Sequence, residues 1–287
     1  MNTLSHSFRA VLTCSAVLGL LLLLMMVGTE ALAQNLEGLK LEKDAKSLGD
    51  VESFTFSYKD KKEQEPIKGI LLKPAGKGPF PAVVVNHGGG GSARAFGLPN
   101  GIILAKAGYV AIACDYTHSI YKRAKVDPAN TTPNTVWNNA ENRRRALACI
   151  EILQSLPEVD QRKIAMYGNS MGAMLTIVMC QETDKIKAAA ITAGGVGGGV
   201  RAPVEGVARI KIPFMILHGE QDALVPPEHP RTLKELLDKQ GTVAELKMFP
   251  GVGHDLVRVK SDEVFALITA FFAKQLGVKA AATTASP

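Results

Sequence analysis

Ser170 stands inside Gly168-Asn169-Ser170-Met171-Gly172, between the apolar run Lys163–Tyr167 and the helix-like Ala173–Cys180. A serine hydroxyl is a weak nucleophile, so chemistry at Ser170 needs a sharp turn to project it and a histidine base to activate it. The order strand, G-x-S-x-G, helix supplies such a turn, a nucleophile elbow. Glycines at 168 and 172 leave room for the strand and helix to close around a strained backbone. An imidazole and an orienting carboxylate would complete the set required for covalent acyl transfer.

Two segments downstream offer those groups in the order Ser, acid, His. Ile212–Leu217 has the pattern of a buried strand and runs into His218-Gly219-Glu220-Gln221-Asp222. Asp222 lies on the loop leaving that strand and is the expected acid. Glu220 is the competing carboxylate, nearer the strand end and longer. Ala244–Phe249 alternates as a last strand, and Pro250–Asp255 is the turn after it, which places His254 just before a closing helix at Asp262–Leu276. The expected roles are therefore Ser170 as nucleophile, His254 as base and Asp222 as the acid that fixes the imidazole tautomer. Asp255 neighbours His254 along the chain and is expected to bond backbone or solvent. His218 reads as structural, and His118 and His229, in polar loops, as solvated.

A third motif concerns the oxygen of the substrate. Pro81–Asn86 is another apolar strand, followed by His87-Gly88-Gly89-Gly90-Gly91-Ser92. Glycines let backbone N–H groups approach a substrate without intervening Cβ atoms, and a loop of this kind can supply an oxyanion hole. The N–H of Met171, which follows the nucleophile, is one expected donor. Gly89 is the first choice for the second and Gly90 the next. A phosphate cradle would want Gly-Lys-Ser/Thr opening a helix, and the loop has no lysine.

With these motifs in place, the chain resembles an α/β-hydrolase of the dienelactone hydrolase type, near the catalytic domains of acetyl-xylan esterases and prolyl-oligopeptidase-like enzymes. The resemblance runs from Lys68 to Leu276 and includes Asp115-Tyr116 and the Val159–Lys163 approach to the elbow. It implies a hydrolase whose triad and oxyanion hole fall on the residues just named. There are two departures. Dienelactone hydrolases proper carry cysteine where this chain has Ser170, so a cyclic dienelactone is not assumed as substrate. Many relatives also have Gly-Gly after the elbow, and here Ala173 follows Gly172.

The layout of elements points the same way. Eight strand-like runs occur at Ser53–Tyr58, Ile67–Lys73, Ala82–Val85, Val110–Cys114, Lys163–Tyr167, Ala188–Thr192, Pro213–Leu217 and Ala244–Phe249. From Ala82 onward they alternate with helical patterns at Leu98–Ala107, Thr135–Leu156, Ala173–Gln181, Pro230–Lys239 and the closing helix. Alternation with near-continuously apolar strands predicts an α/β fold: a mostly parallel eight-stranded sheet with helices on both faces. The first two runs would form an antiparallel edge. Gly89, Ser170, Asp222 and His254 all fall at carboxyl ends of strands, where ligands bind on such sheets. Only Gly194–Lys211 separates the sixth and seventh strands, too short for a large lid. Its Gly194–Gly199 run reads as a flexible loop or a close approach to the pocket. The pocket walls would come from residues 92–99, 116–137 (with Trp137, the only tryptophan) and 194–207.

The N-terminus has its own logic. A basic start ending at Arg9, the apolar stretch Ala10–Val27 and Ala31-Leu32-Ala33 predict a signal peptide over residues 1–33, cleaved after Ala33. Export to a bacterial periplasm or beyond is the expectation, with an uncleaved membrane anchor as the alternative. Residues 34–50 read as an extended tail, 51–277 as one hydrolase domain and 278–287 as a disordered tail. Cys114, Cys149 and Cys180 would remain after cleavage, all in apolar contexts, as buried thiols unless two of them are bridged.

The net charge of +6 survives removal of residues 1–33, because Arg9 and Glu30 cancel. The densest basic run, Arg143-Arg144-Arg145, lies on a predicted helix, where at least one stem should be packed. No nucleic-acid motif accompanies it, and no Cys/His cluster has metal-ligand spacing. The expectation is thus a serine hydrolase of small or medium carboxylic esters, with no cofactor, no metal and no nucleic-acid partner. A peptidase of the prolyl-oligopeptidase type is the first alternative, less favoured because only a short segment precedes the sheet core. A catalytically silent binding protein that keeps the fold is the second. The acyl group, the alcohol and the oligomeric state are left open by the sequence.

Overall fold

The computed structural model describes residues 36–45, 48–61, 65–118, 139–197 and 201–279. The expected signal peptide, the 119–137 pocket wall with Trp137, and the last eight residues lie outside these. Among the described residues nine strands form one sheet: β1 (Leu39–Lys43), β2 (Val51–Tyr58), β3 (Ile67–Pro74), β4 (Phe80–Asn86), β5 (Val110–Cys114), β6 (Val159–Asn169), β7 (Ala188–Thr192), β8 (Phe214–Gly219) and β9 (Ala244–Phe249). Their order is β1-β2-β3-β5-β4-β6-β7-β8-β9. All eight expected strands are present. The ninth, β1, lies in the segment read as a tail and pairs antiparallel with β2, Leu39 opposite Tyr58 through Lys43 opposite Phe54. Its LKLEK alternation is short and charged, and it closes a sheet edge that β2 would otherwise expose.

From β4 onward every pairing is parallel, whereas β3 meets β5 antiparallel. Parallel strands need covered crossovers, and among the described residues four α-helices lie in them: α1 (Leu98–Lys106), α2 (Ala140–Ser155), α3 (Met171–Glu182) and α4 (Glu228–Lys239), while α5 (Leu256–Val259) and α6 (Ser261–Leu276) follow β9. Alternate side chains of each strand feed two cores. Val84, Ile112 and Met166 pack with α2, α3 and α4 on one face. Val83, Val85, Ala111 and Tyr167 pack with α1 and α6 on the other. Strands buried on both faces must be apolar throughout, and AAAIT of β7 and VAIAC of β5 are fully buried.

Helix α3 is buried from Gly172 to Gln181, as a helix apolar all round its circumference must be. Helix α4 is amphipathic and buries only Pro230, Leu233 and Leu237. Strand order reverses at β4: the next connection runs to β5 on one side and the one after it to β6 on the other. The crevice beyond the carboxyl ends of β4 and β6 is therefore the topological switch point of the sheet.

Candidate active site

Ser170 sits at that crevice, at φ 55° and ψ −119°, in a region that L-residues seldom occupy. Its backbone is held there from both sides: the Ser170 N–H donates to Thr192 O at 3.0 Å, and its carbonyl accepts from Ala173 and Met174 at 2.9 and 3.1 Å. The flanking glycines are sterically required. A Cβ on Gly168 would lie 2.2 Å from Gly172 O, and one on Gly172 would lie 2.1 Å from Asn86 O.

The loops after β8 and β9 bring the other two residues to it. His254 Nε2 lies 2.9 Å from Ser170 Oγ, and His254 Nδ1 lies 2.8 Å from Asp222 Oδ2. Since the carboxylate can only accept, Nδ1 carries the proton, which leaves Nε2 free to accept from the serine hydroxyl. Asp222 Oδ1 is occupied by the Leu224 and Val225 N–H groups at 2.9 and 2.8 Å. Burial opposes ionisation of Asp222. The His254 bond, the Val225 amide and the charges of His254 and His218 outweigh it and hold the carboxyl below its usual range.

The competing groups stand elsewhere. Glu220 is exposed, and its N–H closes the strand end on Phe249 O. Asp255 is paired with Arg258 at 2.9 Å. His218 is buried, donates from Nε2 to Val225 O at 2.8 Å, and is driven toward its neutral form by that burial. Cys114, Cys149 and Cys180 are free and buried.

The glycine loop lies against Ser170. A Cβ on Gly88 would come within 3.1 Å of both Asn169 O and Ser170 Cβ. Among the described residues the N–H groups of Gly89 and Met171 have no protein acceptor. The Met171 N–H is one of the orphan donors at the first turn of α3. Gly90 is different, and its candidacy as a donor is withdrawn. At φ 75° its N–H turns back to His118 O at 3.2 Å and is committed inside the loop.

His118 and His229 overturn their reading as solvated. His118 is fully buried, with Nε2 3.0 Å from His87 O. His229 is half-buried, and its Nδ1 donates to Val196 O at 2.9 Å. It is packed there by Gly195 and Gly197: a Cβ on Gly195 would lie 2.4 Å from the His229 backbone. The first part of the 194–199 run thus makes a close approach, although to α4.

A buried polar network beneath the loop escaped the sequence reading. Tyr116 Oη donates to Asn86 Oδ1 at 2.6 Å, and Asn86 Nδ2 donates to Thr176 Oγ1 at 2.8 Å, which donates on to Gly172 O at 2.9 Å. This ties the end of β4 to the elbow helix. Arg145, only 1% exposed, reaches Asp115 O at 3.1 Å and binds Glu141, so it is the packed member of the triple-arginine run. The available signal was Asn86, a polar residue at the end of an otherwise apolar strand; Asn142, among Glu141 and the three arginines, gave none.

A nine-stranded, mostly parallel sheet with an elbow serine at its switch point is the α/β-hydrolase fold. The chain belongs to the dienelactone hydrolase family, whose match spans residues 67–283. A relative of Bacillus subtilis named as an uncharacterized peptidase, YtmA, is 25% identical over 204 residues, covering 60% of this chain and 74% of the relative. A second relative of that organism with the same kind of name, the uncharacterized peptidase YuxL, is 25% identical over 138 residues. That match takes in 38% of this chain but only 21% of the relative's own length. Among solved structures, a cold-adapted esterase from an Arctic intertidal metagenomic library superposes with a TM-score of 0.65 at 21% identity. It matches over 82% of this chain and 97% of its own.

Proposed function

We propose that this hydrolase cleaves carboxylic esters of small or medium size through an acyl-enzyme on Ser170. The observation that carries the reading is the unbroken pair of hydrogen bonds from Ser170 Oγ through His254 to Asp222. Ser170 Oγ attacks the ester carbonyl while His254 Nε2 takes its proton. The resulting oxyanion accepts from the Met171 and Gly89 N–H groups. As the tetrahedral adduct collapses, the imidazolium returns the proton to the departing alkoxide, and the free alcohol leaves. Water then attacks the acyl-enzyme, giving its proton to His254, and collapse of the second adduct releases the acid and restores Ser170. Asp222, ionised and buried, keeps Nδ1 protonated and stabilises the imidazolium throughout. None of these steps calls on a cofactor or metal.

Beside His254, a cavity of about 610 Å³ has Leu224 and Val259 on its walls and Lys260 at its edge. It adjoins the imidazole that protonates the leaving group and offers room for the alcohol half of the ester. The test is hydrolysis of p-nitrophenyl acetate, butyrate and octanoate by wild type and Ser170→Ala, with fluorophosphonate labelling of both. Hydrolysis and labelling that vanish together in the variant support the reading. Activity that survives Ser170→Ala sinks it, and a wild type inert to esters and to the fluorophosphonate would point to a silent binding protein.

Two relatives named as peptidases favour a second reading, cleavage of peptide bonds by the same residues. Turnover of acyl p-nitroanilides at rates near those of the matched p-nitrophenyl esters would select it. We also infer export, from the apolar Ala10–Val27 stretch and the Ala31-Leu32-Ala33 site. N-terminal sequencing of the secreted or periplasmic protein should begin at Gln34, and a retained Met1 in the membrane fraction would replace cleavage with anchoring.

A further inference from the structure

The oxyanion loop consists of four glycines after His87, and a segment without side chains cannot hold its own shape by packing. We propose that His118 is a positioning residue for this loop, holding the Gly89 N–H in line with Ser170; the inference rests on the hydrolase reading above. His118 grips the loop at two points. Its Nε2–H donates to His87 O at 3.0 Å, just before the glycines, and its carbonyl accepts the Gly90 N–H at 3.2 Å, just beyond Gly89. Gly89 is thus bracketed by two bonds to one residue.

The direction of the first bond is set by a relay from α2. The Thr117 N–H donates to Asn142 Oδ1 at 2.8 Å, which fixes the Asn142 amide with Nδ2 on the opposite side. Nδ2 lies 3.4 Å from His118 Nδ1 and can only donate. Nδ1 of His118 therefore accepts, and the proton resides on Nε2, facing His87 O. The His118 ring is fully buried, stacked on Tyr116 at 5.4 Å and edge-on to His87 at 4.9 Å. Asp115 Oδ1 pins the far end of the loop through the Ala93 N–H at 2.8 Å. Helix α2 thereby sets the position of the amide proposed to hold the oxyanion.

Oxyanion donors work only within a few tenths of an ångström of the developing charge, and loss of one costs on the order of 10²-fold in kcat. A loop freed from His118 should lose that contribution while Ser170, His254 and Asp222 stay in place. The diagnostic substrate pair is p-nitrophenyl acetate and its thiono analogue, in which sulfur replaces the carbonyl oxygen. Sulfur accepts hydrogen bonds poorly, so an intact oxyanion hole prefers the oxygen ester and a displaced one discriminates less. Rates are taken per active site titrated with the fluorophosphonate, so that an unfolded fraction drops out.

The expected result for His118→Ala is a kcat lower by roughly 10²-fold with little change in KM, and an oxygen-to-sulfur rate ratio lower by about tenfold. His118→Gln, whose amide can donate to His87 O, should recover part of both. Asn142→Leu, which removes the group that orients His118 and leaves the His118 site filled, should lower the ratio as well and serves if the alanine variant fails to fold. An unchanged ratio in His118→Ala or Asn142→Leu overturns the proposal, even if kcat falls. Failure of the hydrolase reading would show differently, as activity retained in Ser170→Ala, which leaves His118 and its loop untouched.

Discussion

Asn86 and Gly168 face each other in register at the carboxyl ends of β4 and β6. The loop beginning at His87 and the turn carrying Ser170 consequently leave the sheet side by side, with Gly172 O and Asn86 O between them. Closeness of this order excludes any side chain at 172, where a Cβ would meet Asn86 O at 2.1 Å and His87 O at 2.7 Å. Both obstacles are backbone and cannot rotate away. Gly172→Val should therefore destabilise by roughly 3 kcal/mol or more, through overpacking against strand ends that cannot yield. Urea unfolding checks it: a midpoint within error of wild type would refute the close approach.

Asp222→Asn separates the orienting role of the acid from its structural one. Asparagine Oδ1 can still accept the Leu224 and Val225 N–H groups, so the loop should fold. Nδ2, however, would donate to His254 Nδ1 and move the imidazole proton to Nε2, where it blocks acceptance from Ser170 Oγ. A fall in kcat of about 10⁴-fold is expected, the size of the same exchange in serine proteases. Glu220→Ala, at an exposed residue, should leave ester hydrolysis unchanged. The reverse pattern would reassign the acid.

The buried thiols should behave as packing. Burial pushes the Cys180 thiol well up, and Cys149 is raised by its bond to the Cys114 thiol and by burial. A thiol held protonated and inaccessible reacts with neither disulfide reagents nor alkylators. Cys114, Cys149 and Cys180 are expected to react with 5,5′-dithiobis(2-nitrobenzoate) only after unfolding. Ester hydrolysis should be indifferent to reductant. Rapid native-state labelling at any of the three would show an opening the packed structure does not contain.

Ser170, Asp222 and His254, which the structure joins by hydrogen bonds, could be picked out because their order and context are local: each follows an apolar strand by a few positions. The sheet was legible for the same reason, down to all eight expected strands. What was not legible depends on contacts between distant segments. The LKLEK strand is too short and too charged to declare itself without the edge of β2 to pair with. His118 looks like any histidine in a polar loop until α2 is seen to carry Asn142 beneath it. Gly89 and Gly90 cannot be told apart in a run of four glycines. Only the return of the chain at 118 shows which N–H is already taken.

Stability should fall with acid through His87. Burial lowers its pKa from 6.5 to about 4, with the Gly88 carbonyl opposing the shift. The ring accepts the Tyr116 N–H on Nε2 at 3.3 Å and donates from Nδ1 to Gly88 O at 2.9 Å, an arrangement only the neutral form can make. The unfolded chain binds the proton first, so the contribution is complete above pH 6.5 and drains away as pH falls toward 4. The span corresponds to about 3 kcal/mol. His218, also lowered by burial, acts in the same sense. Subtracting the pH profile of Tm for His87→Gln isolates the His87 share; parallel profiles would show that it has none.

Backbone strain at Ser170 gives the last prediction. A φ of 55° with ψ −119° costs a residue bearing a Cβ about 1–3 kcal/mol, whereas glycine adopts it freely. The conformation is imposed by the Thr192 O bond below and the first turn of α3 above, and removing the hydroxyl relieves neither. Ser170→Ala should thus abolish hydrolysis and keep the strain, while Ser170→Gly should abolish hydrolysis and shed it. Glycine forfeits roughly 0.5–1 kcal/mol through the greater freedom of its unfolded chain. A net gain of about 1 kcal/mol over the alanine variant remains, worth roughly 2–4 °C in Tm for a domain of this size. Equal or lower Tm for Ser170→Gly would mean that the elbow holds the nucleophile without strain.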